Sequence, residues 1–402
     1  MSSNSLSDIK RWRPGWKEFI LEWCNELFIS GNMEKTQRFL IDKGWKNRQK
    51  YSCGYSTLLF IDITLRGISQ VFLCNNPFSG MFILAGVAMT SWELMLYSIL
   101  STVVATISAA TIGRPPPEDI LAGLCGYDGA LVGCACWAFL KPSYALQAAF
   151  LLPVLAGFVH VAFVNFLRTW ELPCFTFAFN VVVIMFLFAS DSGVIKLEMA
   201  SGSPAEHRDS WNEMSATYAM DATIRGVGQF MFADTTVGSA FVIAGICVSS
   251  RKGAVIAVIG SIVGWVMARY VFHATFEDNI RAGLYGYNCA GTCCALSGGI
   301  FYKTSDGAVV VGIIGAVFAS LLTFGFAGMF DGLPVLTFPF IVATWVIMLS
   351  RTKWLTEATE YVRPLMRRMS SRQLDQVGKI TNMRMFGSMK GSFNNRFNFI
   401  VN

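Results

Sequence analysis

One line of this sequence combines residue types that seldom share an apolar stretch. Gln70-Val71-Phe72-Leu73-Cys74-Asn75-Asn76-Pro77-Phe78-Ser79-Gly80 sets amide side chains, a helix-breaking Pro and a Gly inside a hydrophobic run. Pro77 and Gly80 predict a break or a re-entrant turn, which lipid tolerates only where protein or a water-filled path satisfies the freed backbone. Broken helices leave carbonyls and N–H groups facing a passing solute. The same residues also fit a kinked helix whose amides tie it to its neighbours. Two Gly-rich pieces, Gly123–Gly133 and Gly283–Gly291, follow polar starts: Pro115-Pro116-Pro117-Glu118-Asp119 and Phe276-Glu277-Asp278-Asn279. Pro followed by acid opens helices, and the short apolar run before the next Gly suits a half-membrane helix. A tightly packed full helix is the competing reading.

Other chemistries lack their residues. No Gly-x4-Gly-Lys-Ser/Thr loop offers a phosphate cradle. His160, His207 and His273 are the only histidines and lie far apart, and no Ser, His and Asp set assembles, so an enzyme is not expected. The cysteines number 11, most of them in apolar runs, where small polarisable side chains pack between helices. Cys289, Cys293 and Cys294 sit close together without a His or second Cys pair, so no metal, cofactor or disulfide is assigned.

The elements that must position these residues are membrane helices. The 402 residues are 53% hydrophobic and 14% charged, whereas soluble domains carry about a quarter charged residues. Mean hydropathy is +0.48. The apolar residues cluster in Met81–Met89, Leu94–Ile112, Ala145–Phe166, Phe175–Ala189, Gly238–Val248, Ala254–Val271, Ala308–Phe326 and Leu336–Leu349. Several approach the ~20 residues that cross a hydrocarbon core of about 30 Å, and roughly ten spans are predicted between residues 51 and 350.

Basic residues crowd the two ends, with ten Lys or Arg in residues 1–50 and ten in 351–402. Cationic flanks resist translocation, so both termini are predicted cytoplasmic, which requires an even number of crossings. The tails are mixed in sign and carry no recognition motif, so nucleic acid is not an expected partner; membrane lipid is, and Arg363–Arg372 could attract its anionic headgroups. The first fifty residues lack an apolar signal-peptide core.

Self-similarity at long period organises the rest. Leu65-Arg66-Gly67-Ile68-Ser69-Gln70 matches Ile224-Arg225-Gly226-Val227-Gly228-Gln229 at an offset of 159 residues. Ala122-Gly123-Leu124-Cys125-Gly126-Tyr127-Asp128 matches Ala282-Gly283-Leu284-Tyr285-Gly286-Tyr287-Asn288 at 160. Leu172-Pro173-Cys174-Phe175-Thr176-Phe177-Ala178-Phe179 matches Leu333-Pro334-Val335-Leu336-Thr337-Phe338-Pro339-Phe340 at 161. The expected organisation is a segment 1–50, a first membrane repeat 51–190, a linker 191–214, a second repeat 215–350 and a basic tail 351–402. Five spans per half would make the repeat inverted, with the solute path at the pseudo-twofold axis between the halves.

The Gln-x5-Asn-Pro-x-Ser-Gly line, the doubled Gly-Leu-x-Gly-Tyr-Asn/Asp line and the doubled Leu-Pro-x-x-Thr-x-x-Phe line resemble the urea transporter family over about Leu65 to Phe340. The resemblance implies an all-α polytopic membrane protein. Two inverted homologous halves would each have about five transmembrane helices and one re-entrant helix, assembled as a homotrimer in the cell membrane with one pore per subunit. It also implies passive, channel-like conduction of urea through a narrow slot between the halves, with flat walls for a planar solute and acceptors that replace its lost water hydrogen bonds.

Carried over residue by residue, the resemblance makes Gln70 and Asn75, with Gln229 and Asp234, acceptors near the slot ends. Leu73 and Phe232 become slot walls, faced by Tyr127 with Leu131 and by Tyr287 with Gly291. Thr176 and Thr337 would meet at the constriction. The sequence departs from the family where Asp234-Thr235-Thr236 replaces an Asn-Pro pair, removing the Pro-made break, and where Asp128 replaces an Asn. Gly291 replaces a larger wall residue and is expected to widen one slot end. Asp128 is expected to tie the turn to its neighbours, and Asp234 to serve the slot rather than cap a helix. Arg66 and Arg225 are expected to snorkel to opposite interfaces. A channel for a larger amide, a polyol or ammonia is the alternative, and a membrane enzyme or an adaptor acting through the tails is a further one.

Overall fold

The computed structural model describes residues 26, 33–37, 40–41, 52–113, 115–191, 216–274 and 277–350. Most of the expected N-terminal segment, nearly all of the linker and the whole basic tail lie outside the described residues. The described chain is helical. Seven helices run through its first part: α1 Ser52–Gln70, α2 Pro77–Thr90, α3 Trp92–Ser108, α4 Pro117–Leu121, α5 Tyr127–Phe139, α6 Pro142–Leu167 and α7 Phe177–Asp191. Seven follow in its second: α8 Ala216–Gly228, α9 Thr236–Ser249, α10 Arg251–Val266, α11 Glu277–Arg281, α12 Tyr287–Ser297, α13 Asp306–Met329 and α14 Phe338–Leu349.

Among the described residues four helical stretches, Trp92–Gly113, Pro142–Trp170, Arg251–Val271 and Asp306–Met329, are long and apolar enough to cross a membrane alone. A fifth span arises if Ala216–Met231 and Thr236–Ser249, bent by 70°, count as one. The apolar helices Pro77–Thr90, Phe177–Ser190 and Phe338–Leu349 are too short to cross alone, bounded by Pro and capping residues. The 13 residues of α5 reach about 20 Å at 1.5 Å each, short of a hydrocarbon core of about 30 Å. They survive inside the protein because their surroundings are protein: every residue from Tyr127 to Cys136 is buried.

Capping chemistry sets the breaks. Asn76 accepts hydrogen bonds from Phe78 N (2.8 Å) and Ser79 N (3.4 Å) and so opens α2, with Pro77 at its first position, where no donor is lost. The second half lacks that Pro and still breaks, contrary to the sequence expectation. Thr235 caps α9 by accepting from Gly238 N at 3.0 Å. Phe232 takes left-handed φ of 59°, as Leu73 does in the first half, so each chain reverses before its next helix. Gly123 and Gly283 end α4 and α11 at φ 75° and 85°. A Cβ there would lie 2.4 Å from Gly67 N and 2.3 Å from Gly226 N, so only glycine fits.

The two halves meet along α2 and α9. A Cβ on Gly86 would lie 2.4 Å from Gly238 O, and one on Gly245 would lie 2.9 Å from Ser79 O. The start of each helix therefore packs on the later part of the other, an antiparallel contact centred on Phe82 and Phe241, whose rings stack at 6.5 Å. Small residues let the backbones approach this closely. Gly86→Val should destabilise the detergent-solubilised protein by about 1–3 kcal/mol through overpacking. Gly325→Ala, with nothing within 4 Å of the new Cβ, should leave the thermal midpoint unchanged or raise it. Equal midpoints for wild type and Gly86→Val would count against the close crossing.

Candidate functional site

The two breaks and the two short helices converge. Gln70 at the end of α1 donates from Nε2 to Ala122 O (2.9 Å), and Gln229 donates likewise to Ala282 O (3.0 Å). Each amide is pinned by its nitrogen to the turn that follows α4 or α11. Its carbonyl oxygen then remains as an acceptor.

At the starts of α5 and α12 two tyrosines do similar work. Tyr127 Oη donates to Phe175 O (2.6 Å) and Tyr287 Oη to Leu336 O (2.8 Å). Phe175 and Leu336 both hold φ of 48°, a conformation costly for residues with a Cβ and sustained by such tethers. The reversals they make bring Thr176 and Thr337 together. Their hydroxyls are 2.7 Å apart and both residues are 3% exposed. Asn180, one turn into α7, braces the pair by donating from Nδ2 to Thr337 Oγ1 and to Thr176 O, both at 2.7 Å. Its Oδ1 is buried with no partner among the described residues. Sequence reasoning passed over Asn180, although it is the one Asn in the apolar run Phe175–Ala189.

Phe340, three residues after Thr337, lines a cavity of about 20 Å³, room for about one water. Val71, Phe72 and Leu73 of the first break line it, with Phe230, Gly291 and Phe340. Of the predicted wall residues, Leu73 and Gly291 reach this cavity. Phe232 instead packs its ring edge-on against Phe139 at 5.7 Å, and Leu131 is fully buried. The expected widening at Gly291 does not occur, because a Cβ there would stand 2.5 Å from Phe230 Cε2 and 3.1 Å from Phe340 Cδ2. The rings occupy the space. Phe72, Phe230 and Phe340 were all missed by the sequence analysis; their aromatic type in apolar runs gives no signal of which ones face a cavity.

The remaining predicted residues stand apart. Asn75 is exposed, and its Oδ1 already accepts from Arg66 Nη1 at 2.8 Å. Asp234 is exposed, and Thr235 rather than Asp234 caps α9. The snorkelling expected of the arginines is corrected for Arg66. It is 1% exposed, paired with Asp62 at 2.8 Å, and also reaches Met33 O. A buried guanidinium needs those partners. Arg225 is half-buried and bonds Thr236 Oγ1 at 3.0 Å.

Asp128 supplies the tie expected of it. Oδ1 accepts from Phe179 N (2.9 Å) and Oδ2 lies 2.9 Å from His160 Nδ1, both side chains buried. In the second half Asn288 Oδ1 accepts from Phe340 N (3.2 Å), and its Nδ2 faces Leu336 O and Thr323 Oγ1. The acid at 128 is thus matched by a His where the Asn faces a Thr.

Spanning helices, broken helices and a narrow cavity between them define a multi-pass helical membrane protein with a candidate solute passage at its centre. Residues 61–352 match the profile of the family described as "UT: Urea transporter". The chain is 30% identical over 340 residues to "Urea transporter 1" of Ovis aries, covering 81% of this chain and 83% of that protein. The same figures hold for the Capra hircus protein of that name. The Rattus norvegicus protein is 30% identical over 342 residues, with the same coverage. The chain belongs to the urea transporter family. That family consists of transporters, and the chain is not an enzyme.

The Asp128 geometry yields a stability prediction. Asp128→Ala strands Phe179 N and His160 together and should cost on the order of 3 kcal/mol. Asp128→Asn keeps an acceptor for Phe179 N and presents its amide to His160, so its loss should be clearly smaller. Thermal melting of both variants in detergent checks this order; equal losses would refute it.

Proposed function

We propose that the chain conducts urea passively through a narrow slot between its two halves. The carrying observation is the Thr176–Thr337 hydroxyl contact of 2.7 Å, which joins the starts of α7 and α14, with Phe340 of α14 lining an aromatic cavity. Urea is flat and neutral, with two amino groups and one carbonyl. Apolar walls admit its faces while oxygen acceptors receive its N–H groups, replacing the hydrogen bonds lost on leaving water. Such acceptors need only rival water, because tight binding would slow exit.

In this reading Thr176 and Thr337 form the constriction, each hydroxyl able to donate or accept. The unpartnered Oδ1 of Asn180 supports it, since a solute bearing N–H donors would satisfy that oxygen. Gln70 and Gln229 present Oε1 near the two ends. Asp234 adds an exposed acceptor at one end; at the other, Asn75 is engaged by Arg66, so Gln70 carries that end. Leu73, Phe232, Tyr127, Leu131, Tyr287 and Gly291 build or back the walls. Two inverted repeats of five spans and one re-entrant helix each are supported by the antiparallel α2–α9 crossing and by the matched Gln and Tyr tethers. The basic ends support cytoplasmic termini. A homotrimer in the cell membrane, with one slot per subunit, rests on the family alone.

Stopped-flow urea uptake into proteoliposomes tests the mechanism. Wild type should give fast flux without a proton or sodium gradient. Thr176→Val and Gln229→Leu should each lower it about tenfold, the effect of one lost hydrogen bond worth about 1.4 kcal/mol at the barrier. No urea flux from a folded wild type would sink the assignment.

A further inference from the structure

We infer that Phe230, filling the space a larger residue at position 291 would take, sets the width of the slot and decides which neutral amides pass. This rests on the urea-conducting reading above. The two halves distribute bulk differently at matched sequence positions. In the first, Gln70 is followed by Val71, and Leu131 stands four residues after Tyr127; in the second, Gln229 is followed by Phe230, and Gly291 stands four residues after Tyr287. A modest residue beside the Gln thus goes with a large one on the short helix, and a large one beside the Gln goes with none.

In the second half the ring of Phe230 leaves no room for a side chain at position 291 unless it shifts. A Cβ on Gly291 would lie 2.5 Å from Phe230 Cε2, closer than real carbons approach, and 3.3 Å from its Cζ. Phe230 is held in place by Phe72 (centroids 5.6 Å), Phe340 (5.4 Å) and Tyr287 (6.4 Å). What these rings leave open is the cavity of about 20 Å³. Its lining is apolar apart from the Cys294 thiol, so discrimination at this point is mainly by size and shape. Polar recognition belongs to the threonines and glutamines. A hydrophobic constriction distinguishes a missing or added methyl group by about tenfold or more.

The experiment measures uptake of urea and of N-methylurea in the same proteoliposomes, as the ratio of the two fluxes. Phe230→Val, with Phe230→Leu as a second variant checked for monodispersity, should raise the N-methylurea to urea ratio about tenfold. Gly291→Leu alone should push the ring into the slot and cut urea flux about tenfold or more. Phe230→Val combined with Gly291→Leu should return both the ratio and the urea flux toward wild type. An unchanged ratio in folded Phe230 variants that still conduct urea would overturn this inference and leave the urea reading standing. A double variant no better than Gly291→Leu would overturn it as well. Absence of urea flux in wild type would remove both.

Discussion

A helix that stops inside a membrane frees N–H and C=O groups that hydrocarbon cannot solvate, each costing several kcal/mol if left alone. Much of the interior follows from that constraint. The turns after α4 and α11 give up the carbonyls of Ala122 and Ala282, which Gln70 and Gln229 take up. The reversals before α7 and α14 give up those of Phe175 and Leu336, which the two tyrosine hydroxyls take up. The starts of α2 and α9 are closed by Asn76 and Thr235. Residue types that look like solute ligands in a sequence are therefore first of all solvents for backbone. What each has left over, such as the glutamine Oε1, is available for other work.

The same constraint explains why the threonine contact is so well defined. Thr176 and Thr337 each follow a left-handed residue, and neither reversal would persist without its tether. Asn180 then locks the pair by donating to one hydroxyl and to the other residue's carbonyl. A contact placed by this many bonds has little freedom to drift, which suits the constriction proposed for it.

Departures between the halves come as matched exchanges. Without His160 2.9 Å away, buried Asp128 would keep only the Phe179 N–H as partner, whereas Asn288 faces Thr323 instead. Gly291 would be a void were Phe230 not over it. The break after α8 has lost a proline and gained a Thr cap. For Asp128 and Gly291 the first change could be seen in the sequence and its partner lay far along the chain, whereas Thr235 stands in the break itself.

The sequence by itself determined that the chain is a helical membrane protein, that a helix breaks at Asn76-Pro77, and which family it joins. Hydropathy runs, Pro and Gly positions and three doubled motifs are local or periodic signals, and they survive without coordinates. It also brought forward Thr176, Thr337, both glutamines and both tyrosines, because their motifs recur. Only the tertiary structure decided the rest. Phe230 faces a cavity while Phe232, two residues further on and itself left-handed at φ 59°, packs against Phe139. Arg66 is buried because Asp62, Asn75 and Met33 gather around it, though its place near a helix end suggested water. Burial and partnership depend on which distant segments arrive at the same place, and residue type and spacing do not carry that information.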